Sequence, residues 1–379
     1  MKKAAAVLAA LGLALGLAGC SLYPSKPRGV ERLLIVQAMG IDAVGGVELS
    51  MVSSADSSRG EGPVRLVGRG GSVAEAQRSA AVSSAEEELF CAHTRYVLVG
   101  EKTAAERGLE DVLGFICRSP EIRIDVPVFV VRGASAKDAL LHTGDDRVGA
   151  AEILSSLTDG AALPDAGSYS CARVSARLAE GKSALVYALS PVPSSEQTEA
   201  GELITLVPDG FGVINDGRLV GFVEAEDAVA VDLLCGSKAV HEFVLRDGRG
   251  GRVTLRTAPG TAVVRPIRDP DGTLRGVAAD AALGASVLET DGGGDLADGE
   301  YRAALAAILE RELLTRLGRV LAAERELGAD FLGLGDRIAL RSSSAERGRD
   351  GDFSAALGSL RFELSVSVSI DHSNDVRGQ

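Results

Sequence analysis

The 379-residue sequence lacks tryptophan, and aromatic residues make up only 4% of it. A carbohydrate-binding platform of stacked aromatic rings is therefore not expected. Basic residues are also scarce, with 40 against 53 acidic residues and a formal net charge of −13. An acidic chain of this kind argues against nucleic acid as a partner and against a polybasic attachment to anionic lipid.

Motifs for metal binding and catalysis are missing as well. The four histidines are far apart, and no HExxH or CxxC pattern occurs, so the sequence indicates no metal site. Ser135 stands in Gly133-Ala134-Ser135-Ala136-Lys137, which lacks the closing glycine of a nucleophile elbow. Ser135 is better explained as a helix N-cap. We therefore expect no catalytic residue, metal or cofactor, although a triad assembled across the fold leaves no local signature.

Cysteine is sparse and widely spaced. Apart from Cys20, the sequence contains Cys91, Cys117, Cys171 and Cys235. Four cysteines could form two disulfides in any of three connectivities. A chain of this length can build a core without such bridges. We favour buried free thiols, and pairing remains the alternative.

Long hydrophobic runs are confined to the N-terminus. Met1-Lys2-Lys3 precedes an apolar run from Ala4 to Leu17, the pattern of a signal peptide over residues 1–19. Leu17-Ala18-Gly19-Cys20 looks like a lipobox, in which bacterial lipoproteins carry diacylglycerol on the cysteine. An ordinary signal peptide with an incidental cysteine is the alternative. We expect cleavage before Cys20, a lipidated tether over residues 20–31, and attachment to the outer face of a cytoplasmic membrane.

The first half of the mature chain mixes helix and strand signals. Ser72-Val73-Ala74-Glu75 is a capping box that predicts a helix to about Phe90. Thr103-Ala104-Ala105-Glu106 is a second capping box. The run from Ile122 to Val131 predicts a long strand, and the proline-containing stretch from Ser190 to Glu196 predicts a linker.

The second half contains a clear hairpin and the best helix in the sequence. Asp216-Gly217 between apolar runs predicts a β-hairpin turn. The segment from Asp291 to Asp298 reads as a linker. Asp298 then predicts a helix N-cap, leucines and other aliphatic residues recur at helical spacing, and Gly328 predicts the helix end.

Together these elements predict an α+β fold. Successive domains of mixed or antiparallel sheets packed with helices are expected, with one long C-terminal helix. The predicted boundaries are residues 32–195 for an N-terminal domain, 202–275 for a middle β-rich subdomain and 276–379 for a C-terminal α/β subdomain.

Several segments in order resemble the Ger(x)C family of spore germination lipoproteins. They are the lipobox; Glu31-Arg32-Leu33 with Met39-Gly40-Ile41-Asp42; Val97-Leu98-Val99-Gly100-Glu101 with Gly108-Leu109-Glu110-Asp111; Arg118-Ser119-Pro120-Glu121-Ile122-Arg123; Leu219-Val220-Gly221-Phe222; and Ala329-Asp330-Phe331-Leu332-Gly333-Leu334-Gly335. The sequence departs from the family pattern at Glu224-Ala225-Glu226-Asp227, where the family tends to carry Gly-Glu-(Glu)-Thr.

The resemblance implies the C subunit of a nutrient germinant receptor. Such a subunit is lipid-anchored at the spore inner membrane, associates with multi-spanning A and B subunits, and has no established enzymatic role. Six residues in two turns are candidate partner contacts or structural corners: Arg118, Pro120, Glu121, Asp330, Gly333 and Gly335. An extracytoplasmic solute-binding lipoprotein is the alternative function, and it would require parallel strands around an interdomain cleft. A surface hydrolase is a third reading without a motif to support it.

Overall fold

The computed structural model describes residues 33–53, 62–84, 88–145, 148–160, 162–198, 201–291, 294–350 and 353–371. The predicted signal peptide, the tether over residues 20–31 and Cys20 lie outside these ranges. In the part of the chain that the structure describes, no helix is both long and apolar enough to cross a bilayer.

The described residues form fourteen strands and eleven α-helices. The strands are β1 Leu33–Ala43, β2 Val47–Ser53, β3 Arg65–Gly70, β4 Glu88–Phe90, β5 Tyr96–Gly100, β6 Val128–Val131, β7 Ala184–Thr198, β8 Gly201–Asn215, β9 Arg218–Val223, β10 Glu242–Arg246, β11 Arg252–Thr257, β12 Thr261–Arg268, β13 Leu274–Thr290 and β14 Arg361–Asp371. The helices are α1 Val73–Ser83, α2 Glu101–Glu106, α3 Glu110–Arg118, α4 Ala136–Leu141, α5 Ala150–Asp159, α6 Cys171–Ala179, α7 Ala228–Cys235, α8 Gly299–Leu327, α9 Leu334–Arg341, α10 Ser344–Asp350 and α11 Phe353–Ala356.

The first sheet has a parallel centre with antiparallel flanks. Its order is β3-β2-β1-β5-β6-β7-β8-β9, with β4 beside the start of β1. The neighbours β1, β5, β6 and β7 run parallel, whereas β2, β3, β8 and β9 add as antiparallel strands. Parallel strands need both faces covered. Accordingly α1, α3 and α6 pack on one face, and α4 and α5 pack on the other.

The second sheet has the order β10-β11-β13-β12, with β14 parallel to β13. Its inner face packs on α8 through Leu305, Leu309 and Leu313. Farther along α8, Leu317 and Leu321 join a cluster that includes residues of both sheets. The long helix therefore spans the seam between the two sheets.

Several predictions are confirmed. The fold is α+β with a long C-terminal helix. Asp298 caps α8 by accepting a hydrogen bond from the Glu300 N–H, and Gly328 follows the helix at φ 59°. Ser72 and Ser135 cap α1 and α4 in the same way. The hairpin turn between β8 and β9 has Asp216 at φ 47° and Gly217 at φ 73°, as a two-residue turn of this type requires.

Three element predictions are wrong in extent. Helix α1 ends at Ser83, and Glu88–Phe90 forms a short strand instead of continuing the helix. The predicted long strand from Ile122 is regular only over Val128–Val131. The second capping box is not a helix start, because α2 already begins at Glu101. Its Thr103 hydroxyl instead accepts a hydrogen bond from the Ala43 N–H at 2.8 Å.

The predicted linker from Ser190 to Glu196 lies within strand β7. Strand β6 pairs with β7 only as far as Leu189, so beyond it β7 pairs with β8 alone. Pro191 and Pro193 are two residues apart, and their nitrogens therefore point to the same edge. Proline is tolerated at such a free edge because no ladder hydrogen bond is lost. The first sheet consequently continues through Val223, past the predicted boundary at residues 195–202.

Candidate functional site

The first candidate turn forms one wall of a surface groove of about 730 Å³. The groove runs between the start of α1 and the length of α3. Its lining residues include Val47, Ser72, Val73, Gln77, Arg107, Asp111, Phe115 and the turn from Arg118 to Glu121. Three of the six sequence-predicted residues, Arg118, Pro120 and Glu121, therefore meet in this groove.

Local hydrogen bonds fix the shape of this turn. Helix α3 ends at Arg118, and Ser119 adopts the extended conformation that a following proline favours. The Ser119 hydroxyl accepts hydrogen bonds from the N–H groups of Glu121 and Ile122, each at 3.3 Å. Ile122 is buried and holds the end of the turn in the core. The backbone of this turn is therefore a structural corner.

The Arg118 side chain lies at the surface. It is exposed, and its guanidinium group lies over Gly114, where an added Cβ would be 2.9 Å from Nη2. Within the described ranges, the Arg118 side chain has no hydrogen bond or ion pair. Also in the lining of the groove, Arg107 pairs with Asp111 at 3.4 Å. The groove thus combines paired charges with one cation that is available to a partner.

The Cys91 thiol, which contacts the groove residue Gln77, is not suited to chemistry. The Gln77 side chain donates a hydrogen bond to the Cys91 Sγ at 3.2 Å. Burial raises the pKa of Cys91 to about 11, so the reactive thiolate is scarce at neutral pH.

None of the four cysteines within the described residues forms a disulfide. The sequence predicts buried free thiols, but Cys117 and Cys235 are exposed.

The second candidate turn is largely enclosed by the fold: Gly333 is buried, and Asp330 and Gly335 are half-buried. Asp330 accepts hydrogen bonds from the Leu334 N–H at 2.7 Å and the Gly335 N–H at 2.9 Å, which caps the start of α9. Gly333 has φ +68°, a left-handed conformation that favours glycine. A Cβ on Gly335 would lie 2.8 Å from the Cβ of Phe353. Asp330, Gly333 and Gly335 therefore shape a corner of the core.

Arg177 ties this corner to the first sheet. Its Nε donates to the Ser183 carbonyl at 2.6 Å, and its Nη2 donates to the Asp330 carbonyl at 3.3 Å. Asp336, at the start of α9, lies 3.6 Å from Arg177 and 2.9 Å from the Lys182 ammonium. The second turn is thus a joint between α6 of the N-terminal region and the end of α8.

A buried carboxyl group, that of Glu324, lies in this joint beside the half-buried Asp330. Glu324 is fully buried, and its Oε1 accepts a hydrogen bond from the Leu332 N–H at 2.8 Å. Its Oε2 has no hydrogen-bond partner as an acceptor among the described residues. Burial, followed by the charge of Asp330, raises the pKa of Glu324 well above its usual range. A proton on the Glu324 carboxyl group would remove its charge and so relieve the repulsion between Glu324 and Asp330.

Two further segments that resemble the family, 39–42 and 97–101, meet at the carboxyl ends of β1 and β5. Asp42 accepts hydrogen bonds from the Ala136 and Lys137 N–H groups at 3.0 and 2.8 Å. A Cβ on Gly100 would lie 2.2 Å from the Asp42 carboxylate, so only glycine fits there. Glu101 accepts a hydrogen bond from the Gly133 N–H at 2.6 Å. These segments hold the loop before α4, a role that the sequence motif alone did not indicate.

No group of three or more His, Cys, Asp or Glu residues in the described ranges is arranged to hold a metal ion. The two candidate turns do not form one site, because the second contributes no residue to the groove. The groove has an apolar floor at Val73 and Phe115 and charged walls, a lining suited to binding a partner.

Comparisons with known proteins agree with the sequence motifs. Residues 27–163 match the family described as spore germination protein N-terminal domain. The fold is similar to that in the crystal structure of the GerBC protein, with a TM-score of 0.59 and 17% sequence identity over 88% of this chain and 96% of that chain. No curated protein sequence matches the chain. The resemblance to the Ger(x)C family is thus confirmed for residues 27–163, which are similar to the N-terminal domain of spore germination proteins, and the likeness to GerBC shows that the fold is shared.

Proposed function

We propose that this protein is a lipid-anchored, non-catalytic subunit of a spore germinant receptor. In this role it docks on the multi-spanning A and B subunits at the spore inner membrane. The observation that carries the proposal is the match of residues 27–163 to the germination domain, directly after a lipobox ending at Cys20. A lipid tether raises the effective concentration of the protein at the membrane, so docking there needs little intrinsic affinity.

The groove between α1 and α3 is the surface we propose for docking. Its exposed Arg118 lacks a partner within the described ranges, and its floor is apolar, a combination suited to a protein segment that carries a carboxylate beside apolar side chains. The second turn is not proposed as a contact surface, because the Asp330 carboxylate accepts hydrogen bonds from two backbone N–H groups within the fold.

Photo-cross-linking from one helix tests this surface. Ala74 lines the groove, whereas Val82 on the same helix is 82% exposed and lies outside it. A photoreactive amino acid at position 74, irradiated in dormant-spore inner membranes, is expected to capture a multi-spanning subunit, and the same probe at position 82 is expected to capture none. Equal capture from both positions would place docking elsewhere. Affinity capture that recovers no multi-spanning subunit with any probe would remove the receptor assignment.

The anchor has its own test. Cys20→Ala removes the thiol that lipidation requires, so we expect loss of fatty-acid labelling and release of the protein from the membrane fraction. Cys117→Ala is the control, because it removes an exposed thiol from the folded region. A Cys20→Ala protein that is still labelled and membrane-bound would contradict lipid anchoring.

One observation favours the alternative function. The first sheet has a four-stranded parallel centre, and a solute-binding lipoprotein would need parallel strands. Under this alternative, nutrient germinants would raise the melting temperature of the protein in the absence of the other subunits. If no germinant changes the melting temperature, solute binding is contradicted and docking is the function that remains.

A further inference from the structure

Strand β14 forms an open edge of the second sheet. It pairs in parallel with β13 along its whole length, from Arg361 to Asp371, without a bulge. Strands β11 and β12 border the other side of β13, and within the described residues no strand pairs with the far side of β14. The strand therefore presents a straight row of main-chain groups at the edge of the sheet.

The main-chain groups of β14 point alternately toward β13 and outward. The Arg361 carbonyl faces β13, because a Cβ added to Gly276 would meet that oxygen. Val368 points outward, because its N–H donates to the Glu310 Oε1 of α8 at 2.9 Å. The N–H and C=O of one residue share an edge, and successive residues alternate. The outward residues are therefore the even-numbered ones: Phe362, Leu364, Val366, Val368 and Ile370.

This edge lacks the features that usually prevent pairing with another chain. Natural edge strands carry lysine, proline or a bulge, whereas β14 has none of these and has charged residues only near its two ends. Glu310 occupies the N–H of Val368, and among the described residues the other outward N–H groups have no partner. Apolar side chains on the α8 face of the strand are only half-buried: Phe362, Leu364, Val366 and Ile370.

The edge is complementary to itself when two copies run antiparallel. With a two-fold axis at Val366, all eleven residues of one strand lie opposite the eleven of the other. Every outward residue then meets an outward residue, as main-chain hydrogen bonding requires. Phe362 lies opposite Ile370 of the second copy, so half-buried apolar side chains cover one another on the α8 face.

Charge selects this register from its neighbours. With the axis at Val366, Arg361 lies opposite Asp371 of the second copy, and the same pair recurs at the other end. Both residues are exposed, and opposite charges at facing positions stabilise a strand pair. Moving the pairing by two residues in one direction places Arg361 opposite Ser369, and moving it in the other direction places Glu363 opposite Asp371, a repulsive pair.

We propose that β14 is a dimerisation strand that pairs antiparallel with β14 of a second copy of this chain. Pairing joins the five-stranded sheets of the two copies into one continuous sheet. The half-buried Glu310 carboxylate leaves the Val368 N–H, which then donates to the Leu364 carbonyl of the second copy. The proposal goes beyond the docking function and does not rest on it, because β14 shares no residue with the groove.

Sedimentation velocity of the full-length chain in detergent measures the oligomeric state. We expect a reversible monomer–dimer equilibrium with a dissociation constant of roughly 1–100 μM, as suits an interface built on one pair of strands. A protein that stays monomeric over this whole range would overturn the self-pairing. The edge would then be left to an extended segment of another protein or to the chain's own C-terminal residues.

Val366→Pro tests the edge itself. Proline removes an outward N–H at the centre of the proposed interface and leaves the hydrogen bonds to β13 in place, so the folded monomer is expected to persist. The dimer should weaken by at least about tenfold. Val366→Thr is the matched control, because it keeps the N–H and a β-branched side chain, and it should dimerise like the parent. A Val366→Pro protein that dimerises as well as the parent would place the contact elsewhere.

A charge exchange tests the register and the identity of the partner, and it does not depend on the folding of Val366→Pro. Asp371→Arg places like charges opposite each other at both ends of the strand pair, so we expect the dimer to weaken by about tenfold. Adding Arg361→Asp to this variant restores opposite charges and should restore most of the affinity. A double variant that remains as weak as Asp371→Arg would overturn the proposed pairing.

Glu310→Ala tests the exchange at the Val368 N–H. The variant removes the carboxylate that competes with the second copy for this donor, so dimerisation should strengthen severalfold. Glu326→Ala, at an exposed position near the end of the same helix, is the control and should dimerise like the parent. Dimerisation that weakens in Glu310→Ala would contradict pairing through the outward groups of β14.

Discussion

Two turns of this protein look alike in sequence and differ in the structure. Each follows the end of a helix and combines charged residues with proline or glycine. In the first, Arg118 points into solvent at the edge of a groove. In the second, Asp330 is directed inward and caps the start of α9. A turn motif shows where the chain changes direction, whereas burial decides whether its side chains serve the fold or a partner.

The largest expected difference between the turns comes from Asp330. Asp330→Ala removes the acceptor of two backbone N–H groups in a buried corner, so we expect the free energy of unfolding to fall by about 3 kcal/mol. Urea unfolding followed by circular dichroism measures the change. Asp336→Ala is the control, because its side chain is 43% exposed and a surface ion pair contributes less than about 1 kcal/mol. Equal losses in the two variants would contradict the buried role of Asp330.

Gly333 gives the next largest effect. At φ +68° an alanine side chain costs about 1–2 kcal/mol, and the Arg177 guanidinium lies 3.4 Å from the position of the added Cβ. Gly333→Ala should therefore lower the unfolding free energy by that amount. Gly318→Ala provides the opposite control: it lies within α8 with no atom within 4 Å of an added Cβ, so alanine should stabilise the helix by about 0.5–1 kcal/mol. A Gly333→Ala variant with an unchanged unfolding free energy would show that the backbone of this corner adjusts to the added side chain.

The acid pair behind the second turn predicts a pH dependence. Burial raises the pKa of Glu324 in the folded state, so the folded protein holds this proton more tightly than the unfolded chain does. Stability from this group is full below the unfolded pKa of about 4.3 and declines as pH rises through the folded pKa. One proton gives a slope of at most about 1.4 kcal/mol per pH unit.

Glu324→Gln tests this dependence because it removes the titrating group and keeps an oxygen for the Leu332 N–H. We expect the variant to lose this decline between pH 5 and pH 8 and to be more stable than the parent at the upper end. Chemical unfolding at several pH values measures both properties. Glu326→Gln, two residues farther along α8, is the control and should keep the parent slope. A parent stability that rises with pH over this range would contradict the raised pKa.

Local signals predicted the parts of the fold that depend on neighbouring residues. The caps at Ser72 and Asp298 and the turn at Asp216-Gly217 depend on contacts within a few residues, so the sequence was sufficient. The strand at Pro191 was read as a linker because its pairing with β8 and the free edge beyond β6 are properties of the assembled sheet.

The candidate sites depend even more on distant residues. The departure from the family pattern at Glu224 and Asp227 gave no hint of a role, yet Arg132 bonds Glu224 and Arg319 bonds Asp227, each 92 residues away in sequence. Likewise, the histidines are far apart in the sequence and fit no motif. In the structure, the His241 Nε2 lies 2.8 Å from the carboxylate of Asp232, nine residues away, a spacing without a known signature. Burial and charge balance at such positions become visible only when the chain is folded.

The smallest effect on stability is expected at the first turn, and it is the most informative one. Arg118→Ala removes an exposed side chain without a polar partner in the described ranges, so the unfolding free energy should change by less than about 0.5 kcal/mol. Capture of a multi-spanning subunit by the photoreactive probe at position 74 should nevertheless fall, because the groove loses its available cation. Arg123→Ala is the control, since Arg123 is exposed just beyond the turn, pairs with Asp125 and does not line the groove. A loss of stability without a loss of capture would mean that the Arg118 side chain serves the fold, as Asp330 does, and would remove the contrast between the two turns.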